Sequence, residues 1–165
     1  RQEWTLEENA LLFVLDGHTA GRLERGERFA YTSYQSELSA KLGERKVLVE
    51  NYLSQPHLEA PDRCGAMDDY AAILNAFVVG YAGEPRFESV CEQLQSEVGQ
   101  VIEQQLRVQQ QDKRQPLLSL TKKEQVLSLR VVARRHDDLF AIYATLGKVF
   151  EHRDFRGASP LARKY

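Results

Sequence analysis

Between Gln35 and Leu53 the chain reads QSELSAKLGERKVLVENYL, and three of its side chains have the chemistry to meet a nucleic acid. Arg45 and Lys46 can neutralise phosphates, and Asn51 offers the adjacent donor and acceptor that a base edge requires. A second basic set, Lys122, Lys123, Arg130, Arg134 and Arg135, lies far downstream, with Arg153, Arg156, Arg163 and Lys164 beyond it. Charge is unevenly spread. Residues 1–63 carry 8 basic and 11 acidic side chains, 64–112 carry 2 and 8, and 113–165 carry 12 and 5, so a net charge of −2 hides a strongly basic final third. Such a surface suits phosphates or an acidic partner, with the salt sensitivity that phosphate contacts bring. The plainer structural reading lays the acidic middle against the basic end, so that each neutralises the other.

Other chemistry is harder to assemble. His18, His57, His136 and His152 are dispersed, with no pair four residues apart, and Cys64 and Cys91 form no CxxC. No GxSxG, HExxH or phosphate-cradling loop occurs. Asp68 and Asp69 fit the start of a helix, Asp137 and Asp138 sit beside Arg134 and Arg135 as ion-pair partners, and Cys91 falls on an apolar face as a packed thiol. The expectation is therefore no enzyme, no metal site and no cofactor. Two cysteines give no disulfide framework, which points to a reduced, intracellular setting: cytoplasmic, or nuclear in a eukaryote. The apolar run Ala71 to Val79, broken by Asn75, is far short of the ~20 residues that span a bilayer, so no membrane partner is expected.

The elements that would carry these residues read as helices. Thr5 with Glu8, Thr32 with Gln35 and Thr121 with Glu124 each match a capping box ahead of apolar residues. The spacing predicts helices from Thr5 to Gly17, Ser33 to Leu42, Arg45 to Ser54 and Met67 to Tyr81. A long helix follows Gly83-Glu84-Pro85, and a last one runs from Lys122 to Phe150. In that last segment Val126, Ala133, Phe140 and Gly147 form one set seven residues apart, and Leu129, His136, Tyr143 and Phe150 another, as bundle packing favours. Pro56, Pro61 and Gly65 mark a linker between residues 1–55 and 66–165. The expected fold is all-α: an N-terminal three-helix, helix-turn-helix-like corner followed by a helical bundle of long amphipathic helices.

The block Trp4-Thr5-Leu6-Glu7-Glu8-Asn9-Ala10-Leu11-Leu12, with Leu42-Gly43, Arg45 and Val49 after it, resembles the Myb/SANT family over residues 4–53. That resemblance implies a helix-turn-helix in which Arg45, Lys46 and Asn51 face DNA, in a transcription or chromatin setting. The alternative is a protein-interaction or oligomerisation domain whose long helices carry the interface. Members of the family that bind protein, and the acidic excess of residues 1–63, favour it.

Overall fold

The computed structural model describes residues 1–63, 66–108 and 115–151, and these fold chiefly as β-sheet. The strands are β1 (Gln2–Leu6), β2 (Leu12–Thr19), β3 (Tyr34–Leu42), β4 (Arg45–Ser54), β5 (Ala72–Val79), β6 (Leu117–Lys123) and β7 (Val126–Ala133). Two α-helices, α1 (Pro85–Val108) and α2 (Phe140–Phe150), complete the order with 3-10 turns at Leu23–Arg25 and His136–Leu139. One sheet has the order β1-β3-β4, with β1 parallel to β3. The other has the order β2-β5-β7-β6 and is antiparallel throughout.

The all-helical expectation is corrected at each of its ambiguous segments. Leu38 and Leu42 are four apart, a spacing that a strand and a helix both place on one face. Ala40 between them decides the matter, because all three are buried on the same side of β3. Gly43 then ends no helix. It opens the two-residue loop Gly43-Glu44 between the paired residues Leu42 and Arg45, with φ 56°, as a Gly-X hairpin needs. Val49 and Leu53, within the helix predicted from Arg45 to Ser54, instead point outward from β4 at 64% and 56% exposure. The segment Ala72–Val79 is apolar on all sides because β5 is covered on both faces, a pattern that periodicity cannot tell from a buried helix. Seven-residue spacing fails in β7 for a simple reason: an odd step crosses the sheet, so Val126 and Ala133 face opposite ways.

The supposed capping boxes have other uses. Thr5 lies in β1, Thr32 precedes β3, and Thr121 lies in β6, whose hairpin turn holds Glu124 at φ 40°. The long helix after Gly83-Glu84-Pro85 does form. Glu84 accepts a hydrogen bond from the Phe87 amide at 2.9 Å, and Pro85 occupies a first-turn position where no N–H is missed. A Cβ on Gly80 would meet the Phe87 ring at 2.8 Å, so a side chain there would push the helix off the end of β5.

Three layers result. Phe87, Val90, Leu94 and Val98 of α1, with Ile142, Leu146 and Val149 of α2, cover Leu74, Ala76 and Val78 of β5 and Leu127, Leu129 and Val131 of β7. On the opposite face Val14, Phe77 and Val79 meet Leu6, Leu38, Ala40, Leu42 and Leu48 of the three-stranded sheet.

Candidate functional site

The space between the sheets changes character along the strands. At one end it is aliphatic. Toward the other, the same alternation that turns Leu12 and Val14 inward brings Asp16 and His18 inward from β2. Strand pairing aligns Asp16 with Asn75, Asn75 with Arg130, and Arg130 with Ser119, so a polar row crosses all four strands. The three-stranded sheet answers it with two cross-sheet contacts. Ser36 donates to Asp16 at 3.2 Å, and Arg130 donates to both Glu50 oxygens at 3.0 and 2.6 Å. Asn75 is buried within this row.

One step further, the His18 ring packs against the neighbouring Tyr34 and Tyr52 rings, with centroids 4.8 and 4.6 Å away and the two tyrosines 5.9 Å from each other. Tyr31 continues the aromatic array beside Tyr34 and donates to Ser54 at 3.0 Å. Burial pulls the His18 pKa below its usual value, against a smaller upward pull from the Asp16 charge. Burial also raises the phenols of Tyr34 and Tyr52. The imidazole is thus neutral and the phenols protonated at neutral pH. A stack of this kind holds the two sheets in register, and it lacks a nucleophile hydrogen-bonded to a base. Among the described residues no group of three or more His, Cys, Asp or Glu could hold a metal. Cys91 is buried and its thiol is pushed up to about 12, so it is unreactive. Cys64 and His152 lie outside the described residues.

The basic residues singled out from the sequence are scattered. Arg45 pairs with Glu124 at 3.2 Å, joining the β3–β4 turn to the β6–β7 turn. Lys122 on β6 pairs with Glu88 and sits over the Phe87 ring, which ties that strand to α1. Arg130 is held by Glu50, Arg134 by Asp69 at 3.3 Å and Arg135 by Asp137 at 3.3 Å. Lys46 opens β4 near the hairpin, Asn51 lies on the outer face of β4, and Lys123 ends β6. Arg45, Lys46 and Asn51 therefore belong to a strand, not a recognition helix. The acidic middle does meet basic partners: Glu88 takes Lys122, and Glu97 takes Lys148 of α2 at 3.0 Å. Arg153, Arg156, Arg163 and Lys164 lie outside the described residues. His136, expected on a buried stripe, is exposed and meets Phe140 and Tyr143 edge-on or tilted.

Sequence reasoning missed Asp16, His18, Tyr34, Glu50 and Tyr52. The signal was present as alternation in Leu12-Val14-Asp16-His18 and Leu48-Glu50-Tyr52-Ser54, visible only once a period of two is applied. Two surface features complete the picture. Val49 and Leu53 stand on the outer face of the three-stranded sheet, and exposed Leu58 follows in the next turn. A cavity of about 410 Å³ opens between Thr19, Leu23 and Glu24 on one side and Arg135, His136 and Asp137 on the other.

The described residues thus form a sheet sandwich backed by helices, with a polar end between the sheets and two exposed apolar side chains, Val49 and Leu53, on an otherwise polar outer face. The sequence matches the UreD urease accessory protein family over residues 1–164, and the chain belongs to that family. It is similar to the urease accessory protein UreD of Cytophaga hutchinsonii, 26% identical over 157 residues that cover 95% of this chain. The chain spans 55% of the length of that curated relative. Membership in this family corrects the Myb/SANT resemblance and the DNA-binding reading built on it, and the sheet fold removes their structural basis. Among the described residues no helix is long and apolar enough to cross a membrane.

Proposed function

We propose that this chain works as a non-catalytic, intracellular accessory protein of urease, acting by contact with urease or with another protein of its assembly. The observation that carries this reading is the family match along residues 1–164. Two exposed apolar side chains on the outer face of the three-stranded sheet, Val49 and Leu53, set among Gln35, Glu37 and Asn51, offer a mixed surface of the kind that protein contacts use. Nucleic acid has no part in this reading. The earlier alternative of a protein-interaction domain is retained, with the contact moved from helices to a sheet face.

The test is capture of urease components by the tagged protein co-expressed with them, in wild-type form and as Val49→Asp and Leu53→Asp. A charge at the centre of an interface should weaken capture by about tenfold or more. Absence of any urease component from the wild-type capture, with normal urease activation in cells lacking the protein, would overturn the reading.

A further inference from the structure

His18 joins the two sheets. Strand β2 carries it at the edge of the four-stranded sheet, and its ring packs against the adjacent Tyr34 and Tyr52 of the β3–β4 hairpin. Both imidazole nitrogens are buried, and neither has a hydrogen-bond partner. A neutral ring leaves one donor and one acceptor unmet there. An imidazolium would leave two charged donors unmet, which is far costlier away from water.

The groups facing this position come from every neighbouring strand. Asp16 lies on β2 itself; Tyr31, Tyr34 and Ser36 approach from β3 and the segment before it. Glu50, Tyr52 and Ser54 belong to β4, Ile73 and Asn75 to β5, and Arg130 to β7. Asp16 and Glu50 are the two acids of this set. Arg130 occupies both oxygens of Glu50, and Ser36 donates to Asp16. Neither acid is hydrogen-bonded to the imidazole, and the Asp16 charge favours the imidazolium by less than burial disfavours it.

We propose that His18 is a proton-operated latch: taking up a proton parts β2 from the β3–β4 hairpin at this end and admits water between the sheets. The aliphatic end, held by Val14, Phe77, Leu38 and Leu42, keeps the sheets together while the polar end opens. The direction follows from linkage. Burial depresses the His18 pKa in the closed state, so the open state binds the proton more readily and acid favours opening. Closure is complete above the usual imidazole value of about 6.5 and is lost as pH falls below it.

The experiment follows the His18 ring resonance by NMR and the near-ultraviolet circular dichroism of the tyrosines from about pH 7.5 to 4.5. His18 is assigned by comparison with His18→Phe, which keeps a ring in the stack but takes no proton. The expected result is a His18 midpoint below about 6.5, with the tyrosine signal lost at the same midpoint while the far-ultraviolet spectrum persists. In His18→Phe that loss should disappear. A His18 midpoint at or above 6.5, or a tyrosine signal that does not follow it, overturns the latch. An unchanged acid transition in His18→Phe does so as well. If that variant does not fold, assignment passes to His18→Gln, and coincidence of the two wild-type midpoints decides the outcome.

Discussion

The two faces of the four-stranded sheet are built from alternate residues of the same strands, yet they differ in kind. Toward the helices, Leu74, Ala76 and Val78 of β5 and Leu127, Leu129 and Val131 of β7 are aliphatic and fully covered. Toward the second sheet, Phe77 gives way to Asn75 on β5, Val14 to Asp16 and His18 on β2, and Val126 to Arg130 on β7. The first face needs only to exclude water. The second combines exclusion with charge: Asp16 and Arg130 find partners across the gap in Ser36 and Glu50, whereas the His18 nitrogens and the Ser128 hydroxyl are buried without one. The alternation lets one strand serve the dry core with one set of alternate residues and the mixed face with the other.

The largest effect should come from the dry face. Leu129→Ala should lower stability by about 2–5 kcal/mol and Phe87→Ala by about 3–5 kcal/mol, since both are fully buried beneath or within the helical layer. Urea denaturation followed by circular dichroism measures this. Losses below about 1 kcal/mol would mean that the helices do not seal the sheet, and the contrast between its faces would collapse.

On the mixed face the two ends of one ion pair should behave unequally. Arg130 is 54% exposed, whereas Glu50 is 14% exposed. Arg130→Ala strands a carboxylate that water reaches poorly, at a cost of about 1–3 kcal/mol. Glu50→Ala leaves a guanidinium that water serves, and should cost about 1 kcal/mol or less. Equal losses in the same denaturation assay would show that the cross-sheet pair is as wet as an ordinary surface bridge.

This contrast also explains what the sequence disclosed. Gly83-Glu84-Pro85 and the spacing of Phe87, Val90, Leu94 and Val98 have no alternative use, because only a helix brings them to one side; α1 was legible. Leu38 with Leu42 was not, since four residues is a whole number of strand repeats and close to one helical turn. Ala72–Val79 was silent for another reason: burial on both faces erases period. The basic residues read as one surface because sequence shows charge but not partners. Arg130 meets Glu50, eighty positions away, only after two sheets stack. His18 looked isolated for the same reason, as Tyr34 and Tyr52 reach it from another sheet.

The smallest effect is expected at Phe140. Seven-residue spacing put it on a buried stripe, but the helix begins at this residue, and the ring stands 60% exposed with His136 at 6.0 Å between centroids. Little of its surface leaves water on folding, so little transfer free energy is at stake. Phe140→Ala should cost less than about 1 kcal/mol. Leu146 offers the control on the same helix. It is fully buried against the four-stranded sheet, and Leu146→Ala should cost about 2–5 kcal/mol. Running both variants in one denaturation series compares them under the same conditions. The difference in helix propensity between Phe and Leu is roughly a few tenths of a kcal/mol, small against the burial effect. A Phe140 loss approaching that of Leu146 would mean that something covers the start of α2 in solution. The helical layer would then have an occupied outer side at the start of α2.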